Sequence, residues 1–240
     1  MYRSVVAATW LTVAAHAVGA TGVAAQAPYR VSWWDAGAVA TAGVLAAIPG
    51  VAGLPHGPPP CAPCDPASLP GIDHAALHTF SGPAGTASSV LLVGVAGFAG
   101  LASLESASPA QVRGRGVVFA NSLAWTFAAS EWVKALAHRS RPVLYTAQAP
   151  AAASQRDNRR SFPSGHASLA FAAATSYLVM AQRERMPHRT RNAVLLYAGA
   201  LGVAALRVAG GKHFPTDVAG GALLGTGIGW LAARVHPTGP

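Results

Sequence analysis

The sequence predicts an all-α protein, a bundle of about six helices embedded in a membrane, with a functional site at one end. Hydrophobic residues make up 52% of the 240 residues and charged residues only 10%, well below the quarter that soluble domains carry. The apolar stretches are rich in Ala, Leu and Val, and no segment alternates with a period of two. These stretches run over 36–54, 84–104, 116–137, 165–182, 192–208 and 217–234.

The N-terminal residues are typical of an export signal. Arg3 gives a positive start, residues 5–25 are uncharged apart from one histidine, and the run ends in an A-x-A-like cleavage site. We therefore expect an exported protein with a signal peptide over 1–27 and a single domain over 28–240. An uncleaved first membrane helix is the alternative.

The connector at 53–71 is crowded with proline and holds both cysteines. Cys61 and Cys64 form a C-x-x-C in "PPPCAPCDP". A redox or zinc site would need a strand–helix pattern or a second pair of ligands, and the sequence offers neither. Because exported proteins favour disulfides, we expect a small structural disulfide here.

The distribution of charge predicts how the helices lie in a bilayer. The net charge of +9 reflects 8 acids against 17 bases, and much of it lies in short connectors, which argues against nucleic-acid binding. If every segment from 84 onward crosses, two arginine-rich connectors share one side, which the positive-inside rule makes the inner side. These arginines are Arg113, Arg115, Arg183, Arg185, Arg189 and Arg191.

The sequence is compatible with more than one number of membrane-spanning segments. Residues 83–104 are uncharged over 22 positions, long enough to span, whereas three later segments are uncharged over only 15 or 16. A crossing by 36–54 after a cleaved signal would invert every later helix. Either 36–54 lies against the bundle, or the signal is not cleaved, or the bundle is exported without spanning.

The first polar cluster is "KALAHRSRP". Lys134 and Arg141 are seven residues apart, two helical turns, and therefore share one face. Pro142 stops the helix and leaves both cations near its end. A lysine paired with Glu131, with a solvated arginine beside it, is the simpler interpretation of this cluster alone.

The second polar cluster, "PSGH", stands where an apolar helix begins. Ser164 is a good N-cap, and Gly165 lets backbone approach a ligand closely. Free backbone N–H groups at a helix start bind anions, and His166 would be a proton donor at the rim. An ordinary capped helix with a solvent-facing histidine is the alternative.

The third polar cluster is "RVAGGKHFPTD". Arg207 ends one apolar run, and Asp217 follows His213 by four residues, close enough for its carboxylate to reach the imidazole. Such a pair stabilises the imidazolium that forms when the other ring nitrogen acts as a nucleophile. An aspartate that merely favours the dipole of a helix start is the alternative.

Taken in order, K-x6-R-P, P-S-G-H and R-x5-H-x3-D resemble the type 2 phosphatidic acid phosphatase (PAP2) superfamily. That family includes lipid phosphatases, bacterial class A acid phosphatases, glucose-6-phosphatase and vanadium haloperoxidases. The signature covers residues 134–217. One position departs from it: the family usually has Ser before the third-motif arginine, and Leu206 stands there, so a supporting hydroxyl is lost.

The resemblance implies a phosphate cradle. Its ligands would be the side chains of Lys134, Arg141 and Arg207, completed by Ser164 and the backbone of Gly165. Because these cations neutralise the charge that develops on a transferring phosphoryl group, no metal or other cofactor is expected.

The resemblance also implies three catalytic roles. His213 would attack phosphorus and form a phosphohistidine, and Asp217 would orient it. His166 would protonate the leaving group and then help activate the water that releases phosphate.

Several polar residues outside the signature have two interpretations. His74 and His78 could ligate a metal, although we expect them on one face of a short helix. His138 and Arg139 either line the site mouth or face water. Three arginines of the connector either attract acidic substrates and lipid headgroups or are solvated; they are Arg156, Arg159 and Arg160.

The sequence thus predicts a metal-independent phosphatase that hydrolyses a phosphate monoester or pyrophosphate, with a phosphorylated lipid or a small phosphoester as substrate. We expect it in a bacterial inner membrane with the site facing the periplasm. Alternatives are a soluble periplasmic acid phosphatase, a lipid phosphotransferase and a vanadium haloperoxidase. A non-catalytic phosphate-binding protein would not need both histidines and Asp217.

Overall fold

The computed structural model describes residues 29–238, and within this range the chain is helical and forms no strand. The predicted signal peptide at 1–27 lies outside the described residues. Six long helices occupy the predicted apolar stretches, and one single-turn helix lies in the connector before residue 165. The helices are α1 (Trp33–Val51), α2 (Gly82–Leu104), α3 (Pro109–Ala137), α4 (Ala149–Ala152), α5 (Gly165–Arg183), α6 (Arg189–Ala209) and α7 (Pro215–Val235).

Helix α3 begins earlier than its apolar run, at Pro109 instead of 116. Ser108 and Gln111 form a capping box, in which each side chain accepts from the other's backbone N–H. Arg115 donates to Glu184 at the end of α5 at 2.7 Å, with both side chains buried. The prediction that Arg113 and Arg115 lie in a connector is therefore wrong, because a cap and a distant carboxylate extend the helix through them.

Helix α5 is the centre of the bundle. Buried positions account for 14 of its 19 residues, most of them Ala, Ser or Thr. Helices α2, α3, α6 and α7 surround it, and α1 packs on the outside against α3. Small side chains allow these neighbours to approach closely, so the core is dense with few large residues.

A glycine stripe on α7 lets its backbone touch that of α5. A Cβ at Gly221 would lie 2.5 Å from the carbonyl oxygen of Ser164, and one at Gly229 would lie 2.8 Å from that of Ala172. At Gly225, between them, a Cβ would overlap the carbonyl oxygen of Ser168. This close packing fixes the start of α7 beside the start of α5.

Four of the described helices are long and apolar enough to cross a membrane, namely α1, α2, α6 and α7. Helix α1 begins beside the end of α7, where Asp35 lies 3.0 Å from His236. It ends beside the connector after α3, where Arg156 donates to the carbonyl of Gly50 at 3.0 Å. Helix α1 therefore runs the full height of the bundle. The predicted class, an all-α bundle with membrane-spanning helices, is confirmed.

Candidate active site

Besides α1, five long helices each place one end at the same end of the bundle, which we call the site end. Helices α3 and α6 end there, and α2, α5 and α7 begin there, because successive long helices from α2 onward run in opposite directions. These ends carry the three polar clusters of the sequence. The opposite end, where α3 and α6 begin and α5 and α7 end, we call the arginine-rich end.

Lys134 lies against the start of α5. A Cβ on Gly165 would lie 2.9 Å from its Nζ, so glycine at this position leaves the space that the ammonium occupies. Glu131 accepts from the same ammonium at 2.7 Å. The local pair that the sequence offered as an alternative is thus present, and it coexists with a lysine at the α5 N-terminus.

Arg141 and Arg207 both have a buried donor to spare. The Nε of each is buried without a hydrogen-bond partner among the described residues, and an unpaired buried donor costs about 1–3 kcal/mol. Arg141 is paired through Nη2 with Asp157 at 2.8 Å, and Arg207 reaches the hydroxyl of Ser88 at 3.4 Å. An oxyanion between them would satisfy both donors.

The N-terminus of α5 is formed as predicted. Ser164 is buried and is the N-cap, with its hydroxyl 3.5 Å from the backbone N of Ala167. The next side chain, His166, lies within Coulombic range of Lys134, Arg141 and Arg207. Its Nε2 is 3.0 Å from the hydroxyl of Ser89 on α2.

His213 is buried, and its contacts define which ring nitrogen carries the proton. Nδ1 lies 2.7 Å from the backbone carbonyl of Ser161. A carbonyl oxygen can only accept, so Nδ1 donates and Nε2 is left with a free lone pair. Burial lowers the pKa of His213 to about 4, which keeps this imidazole neutral near pH 7.

Asp217 lies within ion-pair distance of His213, as the sequence predicted, but its hydrogen bonds go to other groups. Its Oδ2 is 3.6 Å from Nδ1, too far for a good hydrogen bond, and accepts instead from the hydroxyl of Ser161 at 2.5 Å and the backbone N of Phe214 at 2.9 Å. The carboxylate therefore caps α7 and fixes Ser161, whose carbonyl holds the imidazole. Both interpretations of Asp217 apply: it lies within ion-pair distance of His213, and it caps the start of α7.

Arg139 is partly exposed, and two carboxylates hold its guanidinium. Its guanidinium donates to Asp217 and to Asp73, each at 2.6 Å, and lies 4.7 Å from the centre of the Phe214 ring. Asp73 is fully buried and also accepts from the backbone and hydroxyl of Thr216. This chain of ion pairs ties the connector before α2 to the start of α7.

The arginines of the connector are less solvated than expected. Arg160 is buried and donates to Glu131 at 2.6 Å, so this carboxylate bridges Arg160 and Lys134. Arg156 donates a hydrogen bond to the backbone carbonyl of Gly50. Arg159 is partly buried, with Nε and Nη1 buried and without a partner in the described chain.

His74 and His78 lie in a 3-10 helix, Gly71–His78. The predicted short helix is therefore present, but because a 3-10 helix repeats every three residues, side chains four positions apart do not share one face. Within residues 29–238, no group of three His, Cys, Asp or Glu side chains is placed to hold a metal ion.

A disulfide joins Cys61 to Cys64. The backbone N of Cys64 donates to the carbonyl of Leu144 at 2.8 Å, which anchors the proline-rich connector behind Arg141. Next to Arg141 a cleft of about 470 Å³ opens to solvent. Its walls mix apolar and polar groups, among them Phe80, Val143, Gln148, Gln155, Asn158 and Lys212.

The sequence did not identify three residues of this site, namely Ser89, Asp73 and Ser161, and it named Arg139 only as a residue that either lines the site mouth or faces water. Ser89 is a hydroxyl within an apolar run, and Asp73 lies far along the chain from its partners. Arg139 lies within the six-residue spacer of K-x6-R-P. Its position two residues before Arg141 was the feature of the sequence that placed it near the site.

Comparison with known families gives one match. The family model described as "PAP2 superfamily" matches residues 115–239, which include every signature residue from Lys134 to Asp217. No curated protein and no solved structure matches the chain.

Proposed function

The chain belongs to the PAP2 superfamily, and we propose that it is a metal-independent phosphatase that hydrolyses a phosphate monoester or pyrophosphate of a lipid through a phosphohistidine. One arrangement carries the proposal: the unprotonated Nε2 of buried His213 lies within Coulombic range of Arg141 and Arg207, whose Nε donors have no partner among residues 29–238. A nucleophile beside an unfilled cationic cradle suits phosphoryl transfer.

In the first step, Nε2 of His213 attacks phosphorus while the P–O bond to the leaving group breaks. Lys134, Arg141 and Arg207 neutralise the equatorial oxygens, with Ser164 and the Gly165 N–H completing the cradle. The bound dianion lies among the cations and favours the protonated form of His166, which gives its proton to the leaving oxygen. The Ser161 carbonyl stabilises the Nδ1 proton throughout.

In the second step, water replaces the leaving group. His166, now neutral, accepts a proton from that water as its oxygen bonds to phosphorus. The P–N bond breaks, inorganic phosphate leaves, and His213 and His166 return to their starting protonation states. An acceptor alcohol in place of water would make the same cycle a phosphotransfer.

A lipid substrate is supported by where the site lies on the bundle. Ser89, the partner of His166, is exposed on α2 beside Val90 and Val93, which are also exposed. Helix α2 is long and apolar enough to cross a membrane. An apolar tail lying along this surface would bring its phosphate to His166 at the height of the headgroups.

We propose that the arginine-rich end is inside and the site end outside. This orientation is supported by the Cys61–Cys64 disulfide, which is chemically favoured outside. In this orientation α1 starts inside. Cleavage after Ala27 would instead leave Pro28 outside. A cleaved signal and an inside start of α1 therefore exclude each other. N-terminal sequencing of the mature protein shows whether the signal is cleaved.

The experiment is phosphate release by the detergent-purified protein in EDTA. The panel contains phosphatidate, phosphatidylglycerophosphate, undecaprenyl pyrophosphate and a soluble aryl phosphate, with His213→Ala as control. We expect release from at least one lipid and none from the variant. Release from the aryl phosphate alone would favour the soluble-substrate alternative, and wild-type release by His213→Ala would overturn the mechanism.

A further inference from the structure

A groove runs between α6 and α7 near the arginine-rich end, on the side surface of the bundle. Helices α6 and α7 scarcely touch, so α5 forms the floor. Two adjoining cavities, of about 540 and 320 Å³, share Leu178, Gln182 and Tyr197. Together they form one continuous depression against the half of α5 that lies farthest from the site.

The inner part of this groove is apolar. Most of its surface comes from aliphatic, glycine and aromatic positions, with Gln182 and Thr226 as polar members of the lining. The hydroxyls of Thr175 and Tyr197 bond each other at 2.7 Å, and a hydroxyl pair satisfied in this way can contact hydrocarbon without loss. The apolar lining residues are Leu178, Val179, Ala193, Val194, Gly227 and Trp230.

The rim of the groove is positive. Arg189 borders one cavity and Arg234 the other, and neither has a carboxylate partner in the described chain. The Arg234 guanidinium lies 5.4 Å from the Trp230 ring centre, and Trp favours the interfacial zone of a membrane. The nearest acid in sequence, Glu184, is already bound by Arg115.

The start of α6 adds a second, independent indication of an anion. The N-cap is His188, which makes no side-chain cap, and the first turn has no acidic residue. Two cations, Arg189 and Arg191, stand there instead, although a helix N-terminus repels positive charge. An anionic group at this point would satisfy the free N–H groups and the arginines together.

We propose that this groove binds an anionic phospholipid from the leaflet at the arginine-rich end. The phosphate lies between Arg189 and Arg234, and an acyl chain lies along Leu178 and Tyr197. The site is separate from the phosphate cradle: Thr175 is nine residues from His166, roughly 14 Å along α5. The lipid is therefore a resident ligand that holds α6 and α7 together, and not the substrate.

The test compares phosphatidylglycerol with phosphatidylcholine, each titrated into the full-length protein in detergent while Tm and bound lipid (by native mass spectrometry) are followed. Phosphatidylglycerol should raise Tm and remain bound, whereas phosphatidylcholine should do neither. The double substitution Arg189→Gln with Arg234→Gln should weaken binding about tenfold or more, since each cation near an anionic headgroup contributes about 1 kcal/mol.

A matched control pair, Arg113→Gln with Arg185→Gln, removes the same charge at the same end without altering the groove lining. We expect it to bind phosphatidylglycerol as the wild type does. Equal loss in both pairs, equal binding in all three proteins, or equal effects of the two lipids would each overturn the proposal. Because the readout is binding and not turnover, the result does not depend on the proposed phosphatase activity.

Discussion

The hydroxyl of Ser89 lies 3.0 Å from Nε2 of His166, across the contact between α2 and α5. Helix α2 lies outside the residues that match the PAP2 family model. It nevertheless supplies a second hydroxyl as well, Ser88, which contacts Arg207. On α6, the family usually has a serine before the third-motif arginine, and this chain has Leu206 there. Ser88 and Ser89 supply hydroxyls from α2 instead.

Ser89→Ala should impair turnover in a way that depends on the leaving group. If Ser89 orients His166 as the acid, its loss matters most for alkyl phosphates, whose leaving oxygens need a proton, and least for nitrophenyl phosphate. We expect kcat to fall about tenfold or more for the alkyl ester and far less for the aryl ester. Thr86→Val, one turn away on α2, is the control; an equal loss for both esters would contradict the orienting role.

Arg139→Gln should lower turnover while leaving phosphate binding intact. The substitution leaves buried Asp217 and Asp73 without their cation, which lets the Ser161 carbonyl and the His213 imidazole bound to it shift. Misplacement of a reacting group by about 1 Å can cost about a hundredfold in rate. Stability falls too, since breaking a buried pair costs about 3–5 kcal/mol. The measurement is kcat together with the protection against unfolding that inorganic phosphate gives.

Arg139→Lys and Asp73→Asn keep that experiment decisive if Arg139→Gln fails to fold. Lysine retains the charge and should restore part of kcat, and Asp73→Asn preserves the contact between Arg139 and Asp217. A kcat within a few-fold of wild type in Arg139→Gln would show that this network does not position the nucleophile.

The pH dependence of stability should reveal buried His213. Its pKa is lowered to about 4 by burial, against about 6.5 when unfolded, so the folded state favours the neutral imidazole. This contribution is fully present above pH 6.5 and is lost as the pH falls toward 4, by up to about 3 kcal/mol. Tm of the wild type should therefore fall more steeply over this range than Tm of His213→Gln; parallel curves would refute the burial effect.

Gly225→Ala should separate α7 from α5. The added Cβ would overlap the carbonyl oxygen of Ser168, and backbone cannot move aside as a side chain can. We expect a loss of about 1–3 kcal/mol from overpacking and slower turnover, because Asp217 is carried on α7. Gly227→Ala, whose Cβ would meet open space, is the matched control and should behave as wild type in thermal unfolding and activity.

The sequence predicted most of the helices because apolar runs and breakers are local signals. It missed the start of α3 because the interaction that buries Arg115 comes from Glu184, 69 positions away. The three polar clusters were recognisable from their positions at helix ends, and the family resemblance supplied the expectation of a phosphate cradle. The contacts of Ser161, Arg139 and Asp73 were not predictable, since only the folded chain creates them.

The acceptor that holds the His213 proton belongs to the main chain. Replacing the side chain at Ser161 would remove the hydroxyl bound to Asp217 and leave the carbonyl in place, so no single amino-acid exchange there abolishes the acceptor. A substitution at position 161 therefore acts on where the carbonyl lies and not on whether it is present. Ser161→Ala should keep the tautomer of His213 while the carbonyl, no longer tied to Asp217 by the hydroxyl, becomes free to shift.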